Sequence, residues 1–145
     1  MRIYLDNCCY NRPYDDQSQL RISLESQAKV EVQDEIKKGH IELATSYIGF
    51  YENHENPYEM RMINIRVFQE DFATIHVSEK MDDKVKEMTL EIEAAGIKHK
   101  DACHVACAIL SGCDYFLTTD DRLLKYKRDD IILVNPVDFI KVLEV

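Results

Sequence analysis

Between Ala102 and Leu110 the only strongly polar side chain is His104, in a run that continues Lys100-Asp101 and is closed by Gly112. A helix apolar almost all round has no face to give to solvent, so this run predicts a helix buried in the middle of a domain. It is too short to cross a bilayer, and a glycine just past the last apolar residue is a natural C-terminal stop. Asp101 stands at the entrance. A carboxylate in a first helical turn is favoured by the helix dipole, yet in a buried setting it is costly unless a partner charge meets it. The rest of the chain must therefore wrap this helix and supply something for its acid.

Elsewhere, short β-prone runs alternate with amphipathic ones. Arg2-Ile3-Tyr4-Leu5 stops at the turn-forming pair Asp6-Asn7, and Ile41-Glu42-Leu43-Ala44-Thr45 supplies a second strand. Residues 73–77 read as a short β-like link. Tyr115-Phe116-Leu117-Thr118 ends in Thr119-Asp120-Asp121, and Ile131-Ile132-Leu133-Val134 ends at Asn135-Pro136. After a loop through Arg12-Pro13-Tyr14-Asp15-Asp16, Leu20, Leu24, Ala28, Val32 and Ile36 recur every four residues, and Gly39 closes that helix. Ser46 is placed to cap a short helix carrying Ile48, Phe50, Tyr51 and Glu52 before Pro57. Helices are also predicted through Met60, Ile63, Val67 and Phe68, from Ser78 through Met81, Val85, Met88, Leu90 and Ile92 to Gly96, and from Val137 to Leu143.

Consecutive apolar residues in strands separated by helices are the pattern of a parallel sheet covered on both faces. The expectation is an α/β fold forming one domain over residues 1–145. In open parallel sheets function gathers beyond the carboxyl ends of the strands. Asp6 and Asp120 lie at such ends, and Glu52 and Asp101 in the helical segments that adjoin them.

A formal net charge of −9 argues against holding nucleic acid by a broad basic surface. The 5 Cys, an odd number, read as reduced and mostly buried thiols. With no signal-peptide pattern and no membrane-length apolar stretch, the expected location is cytoplasmic. Asp6, Glu52, Asp101 and Asp120 meet only if folding assembles them. At about 4 Å and an effective dielectric of about 20, each like-charge pair costs about 4 kcal/mol. Protonation or a hard divalent cation must compensate, and all-oxygen donors suit Mg²⁺ or Mn²⁺. A zinc reading of His99, Cys103 and Cys107 lacks the CxxC pair to complete it.

The opening Ile3-Tyr4-Leu5-Asp6-Asn7, Ser46 followed by Tyr51-Glu52, the helix entry Lys100-Asp101-Ala102-Cys103-His104, and Phe116-Leu117-Thr118-Thr119-Asp120 together resemble the PIN-domain family. That family includes many VapC-type toxin ribonucleases, and the resemblance covers nearly the full chain in the same order. It implies a three-layer α/β/α sandwich around a mainly parallel sheet. It also implies a Mg²⁺- or Mn²⁺-dependent endoribonuclease that cuts single-stranded RNA, in some members as the toxin of a toxin–antitoxin pair. Asp6, Glu52, Asp101 and Asp120 fall on the family's acidic positions and would be both catalytic residues and metal ligands. The resemblance further implies RNA as substrate, an antitoxin protein as candidate partner and a homodimer as candidate assembly. The alternative is a non-catalytic PIN scaffold that binds RNA or a partner protein.

Each residue also has a plainer explanation. Asp6 is a turn residue after a strand, Asp101 a favourable N-terminal helix charge, Glu52 part of a solvated helix end, and Asp120 the N-cap before Arg122-Leu123-Leu124. Asp120 and Asp121 are adjacent, and strand alternation lets only one face inward. The Thr-x-Asp pattern favours Asp120. His104 is expected to be a hydrogen-bonded core residue that orients Asp101. Lys98, Lys100, Arg122, Lys125, Lys127 and Arg128 form either a rim that tracks an RNA backbone or solvated helix ends.

Overall fold

The shortness and apolarity of the strands follow from their place in the molecule, since each lies between two helical layers. A computed structural model describes residues 1–144. Its strands are β1 (Arg2–Leu5), β2 (Glu42–Ser46), β3 (Ala73–Val77), β4 (Tyr115–Leu117) and β5 (Ile132–Val134). They form one sheet in the order β3-β2-β1-β4-β5, and every neighbouring pair is parallel.

Side-chain alternation along β1 separates two cores. Ile3 and Leu5 join Leu43 and Leu117 on one face. There they pack against α1 (Asn7–Asn11), α2 (Leu20–Lys37), α4 (Glu59–Phe72) and α8 (Pro136–Leu143), which contribute Cys9, Val32, Phe68 and Phe139 among others. Tyr4 joins Ala44, Phe116 and Leu133 on the other face. That core is completed by α3 (Tyr47–His54), α5 (Asp82–Glu93) and α6 (His99–Leu110). The result is the three-layer α/β/α sandwich with β1 at its centre.

The apolar run is α6, and every residue from Ala102 to Ala108 is buried. It ends at Gly112, whose φ of 74° lies in the left-handed region that glycine adopts without strain; a Cβ there would also sit 3.1 Å from the Arg2 guanidinium. Among the described residues, no helix is long and apolar enough to cross a membrane, and all the cysteines are free.

Some local expectations are corrected. Residues 73–77 are a full edge strand, paired parallel to β2 across a register shift between Leu43 and Ala44. The turn at Asp6-Asn7 opens a short helix, Asn7–Asn11, whose first N–H the Asp6 carboxylate accepts, and the expected loop begins with a 3₁₀ turn, Arg12–Tyr14. Ser78 makes no capping bond; a 3₁₀ turn, Glu79–Met81, precedes α5. In α2 the four-residue repeat buries Ala28, Val32 and Ile36 but leaves Leu20 and Leu24 exposed. Glu25, 1% exposed, is buried there instead. Arg12 Nε at 3.0 Å, Arg21 Nε at 3.3 Å and Asn135 Nδ2 at 2.5 Å all donate to its carboxylate. A buried carboxylate is tolerable with partners of this kind.

Candidate active site

Asp6 follows the last residue of β1, where the backbone leaves the sheet. Its N–H still donates to Leu117 O at 2.9 Å, so the residue is tied to the end of β4. The carboxylate is buried and fully oriented. Oδ1 accepts the Asn7 N–H at 2.8 Å, and Oδ2 accepts the Thr118 hydroxyl at 2.9 Å, with the Cys8 thiol at 3.4 Å. Thr118 Oγ1 in turn accepts the Asp120 N–H at 3.1 Å. One threonine thus couples the ends of β1 and β4 to each other.

Asp120 is the N-cap of the short helix α7 (Asp121–Leu124), and its Oδ1 accepts the N–H groups of Arg122 at 2.9 Å and Leu123 at 3.4 Å. Asp121 points elsewhere. Arg21 grips it in a bidentate pair, 2.8 Å on each oxygen, which holds its carboxyl below the usual range. Of the two adjacent acids, Asp120 is therefore the one without a counter-charge.

Glu52 on α3 reaches the buried His104 of α6, with Oε2 2.5 Å from Nε2. Burial works against the Glu52 charge, but the hydrogen bond from His104, that imidazole's charge and Lys100 together outweigh it and lower its pKa. For His104, burial alone would depress the pKa. The Glu52 hydrogen bond and the charges of Asp6, Glu52 and Asp101 overcome this, so it lies above the ordinary imidazole value. Both shifts point to an ionised pair. His104 Nδ1 lies 2.7 Å from the Tyr4 hydroxyl, which is 2.6 Å from Ser46 Oγ, the acceptor of the Gly49 N–H at 3.0 Å. A protonated His104 donates from Nε2 to Glu52 and from Nδ1 to Tyr4, and Tyr4 then donates to Ser46. Burial, first among several causes, holds the Tyr4 phenol far above its usual pKa, so it stays a donor.

Asp101, in the first turn of α6, is half-buried and has no hydrogen bond or ion pair from a side chain among the described residues. Its pKa is raised, by burial first, then by the charges of Asp6 and Asp120 and further by Glu52, with only His104 opposing. The four acids from distant parts of the chain are therefore in one electrostatic neighbourhood. His104 orients Glu52, not Asp101, because Tyr4 and Glu52 occupy its two ring nitrogens. Of the proposed basic rim, Arg128 is taken up by Asp130 and Glu91, and Lys127 by the Leu124 carbonyl. The Tyr4–Ser46 support had no signal in the sequence, since a tyrosine inside an apolar strand reads as core.

Among the described residues, no three His, Cys, Asp or Glu side chains close on a single metal position. The donor chemistry nevertheless fits a hard cation. Mg²⁺ is commonly held by one or two carboxylates and keeps several waters, so a closed protein cage is unnecessary. Among the described residues Asp101 is unengaged, and Asp6 Oδ1, which accepts only the Asn7 N–H, retains a further lone pair.

No protein-family model matches the sequence, and no curated protein does. Among solved structures, the chain is similar to one in the crystal structure of VapBC2 from Rickettsia felis bound to a DNA fragment from their promoter. The TM-score is 0.56, over 93% of this chain and 98% of that one. The fold is PIN-like. At 16% identity the likeness extends to the architecture alone. In this PIN-like frame the four acids sit beyond the carboxyl ends of β1, β2 and β4, where a parallel sheet places its ligands.

Proposed function

We propose that this protein is a nuclease that uses Mg²⁺ or Mn²⁺ to hydrolyse phosphodiester bonds of single-stranded RNA. The observation that carries the reading is Asp101, a half-buried carboxylate with no ion-pair partner among the described residues that feels three other carboxylates from distant parts of the chain. Such an arrangement is destabilising by itself and is characteristic of sites whose compensating charge arrives from solution.

Asp6 and Asp101 would hold the cation, with Glu52 and Asp120 acting through water. When bound, such an ion lowers the pKa of water and offsets charge on a phosphodiester. The chain's own contribution is positioning. Thr118 and the Asn7 N–H fix the Asp6 carboxylate, the α7 cap fixes Asp120, and His104 fixes Glu52 while keeping it ionised. Tyr4 locks the imidazole ring in turn. Asn7 and Thr119 would orient water or phosphate, and no side-chain nucleophile is needed.

The same reading makes the protein a cytoplasmic toxin with an antitoxin protein as partner and a homodimer as its assembly. The VapBC2 similarity supports the antitoxin as partner. A non-catalytic scaffold is the second reading, favoured by the absence of a three-ligand cage among the described residues. Cleavage of labelled single-stranded RNA and DNA pools in Mn²⁺ and in EDTA, by wild type and Asp6→Asn, separates the two. The nuclease reading expects Mn²⁺-dependent cutting, RNA preferred, lost in the variant. No cutting, or equal cutting by both proteins, would leave the scaffold.

A further inference from the structure

We propose that the groove between α3 and the β3–α5 connection is a subsite for single-stranded nucleic acid, in which a base stacks on Tyr51 and Lys80 meets the phosphate. The groove is about 590 Å³, within the size range of ligand sites, and its walls are largely flat rings. Phe50 stacks on His76 with centroids 4.6 Å apart and planes at 26°, and the Arg66 guanidinium lies 3.9 Å from the Phe50 centroid. Tyr51 is 55% exposed, with its edge supported by Tyr47 at 90° and its hydroxyl donating to Glu79. Its ring is thus held in place while a large part of its surface remains open.

Charge distinguishes the occupant. On a chain of net charge −9, this groove is lined by Arg66, which Glu70 engages at 2.5 Å, and by Lys80, with Glu79 as its acid. Lys80 has no ion pair among the described residues. An open aromatic face, Tyr51, beside an unpaired cation, Lys80, is the combination that binds single strands without reading sequence, since every base has a π-face and every nucleotide a phosphate. An acidic peptide would satisfy Lys80 but leave the open tyrosine ring unused.

The position fits as well. Tyr51 and Glu52 are consecutive on α3, so one wall of the groove and one acid of the site are a single Cα step apart and leave the helix on adjoining faces. In the proposed complex, Tyr51 takes the nucleotide next to the one whose phosphate lies among the acids. In that respect the subsite rests on the nuclease reading.

Binding of a fluorescein-labelled adenine hexaribonucleotide to the Asp6→Asn protein in EDTA, followed by anisotropy, tests the subsite. Tyr51→Ala is expected to weaken binding by about 5- to 150-fold, the range of one base–aromatic stack, and Tyr51→Phe to preserve it. Lys80→Glu is expected to weaken binding and to lower the salt slope by about 0.7. Unchanged affinity in Tyr51→Ala and Lys80→Glu, or equal competition by a hexaglutamate peptide, would overturn the subsite. The two readings fail separately. Mn²⁺-dependent cutting with KM unmoved by both variants refutes the subsite and leaves the nuclease. Tyr51-dependent binding without any cutting refutes the nuclease and leaves the subsite.

Discussion

Replacing Asp101 by Asn should reverse the order of stability between wild type and variant according to whether a divalent cation is present. Asp101 is half-buried, raised in pKa by burial and by Asp6, Asp120 and Glu52, and bound by no partner side chain among the described residues. Its folded-state pKa lies above the ordinary carboxylate value. The penalty on its ionised form is therefore fully present above the folded pKa and is relieved as pH falls toward the unfolded one. Taking about 7 Å separation and an effective dielectric of about 20, one such carboxylate pair costs about 2 kcal/mol. Solvent screening at a partly exposed group reduces the net cost of all three neighbours to about 1–2 kcal/mol. In EDTA at neutral pH, Asp101→Asn should thus melt about 3–6 °C above wild type. A cation that binds only the folded state adds about 2.7 kcal/mol at a hundred times its Kd, about 8 °C for a domain of this size. Wild type should gain that shift in Mn²⁺ and overtake the variant, which has lost a direct ligand. Scanning calorimetry of both proteins in EDTA and in millimolar Mn²⁺ measures the crossing. A variant less stable than wild type in EDTA, or equal Mn²⁺ shifts in the two proteins, would refute the reasoning.

Two other substitutions probe separate parts of the structure. Lys29, buried on α2 with its ammonium 5.9 Å from the Tyr10 ring centroid, has its pKa pushed down to about 8, chiefly by burial. Below that value the folded state carries the buried charge at its full cost, about 3 kcal/mol for a shift of this size, and the cost is relieved as pH rises toward the unfolded value. Urea unfolding of wild type should show stability gained from this group above about pH 8. Lys29→Met should be more stable at pH 7 and lose that component; a less stable variant with the pH dependence intact would contradict the assignment. Asp120→Asn retains a good N-cap and should keep its melting temperature while cleavage falls at least about tenfold, whereas Asp121→Asn should cut RNA like wild type. The opposite pattern would place Asp121, not Asp120, at the reacting phosphate.

Much of the architecture is legible along the chain because apolar periodicity is a local property. The α6 run, the strand ends at Asp6 and Asp120 and the Ser46 cap all follow from residues within a few positions of one another. The same locality explains the failures. The repeat that includes Leu20 and Leu24 is a helical period, but whether that face meets the core depends on what lies opposite. Arg12 and Asn135 lie there and join Arg21 of the same helix, so Glu25 is buried and the leucines are not. His104 was spaced to face Asp101 on its own helix, yet its ring nitrogens are taken by Tyr4 and Glu52, from elements far away in sequence.

The order of the acids and their attachment to strand ends and helix starts were determined by the sequence alone, since each depends on local turn and cap chemistry. Only the tertiary structure decided which charges are neutralised. Arg21 claims Asp121, His104 claims Glu52, and Asp101 is left without an ion pair among the described residues. The strand order β3-β2-β1-β4-β5, which sets those distances, was likewise open. The physical reason is that electrostatic pairing depends on separations of a few ångströms between groups as many as about a hundred residues apart. Those separations are fixed by how two helical layers pack on one sheet, which no local pattern encodes.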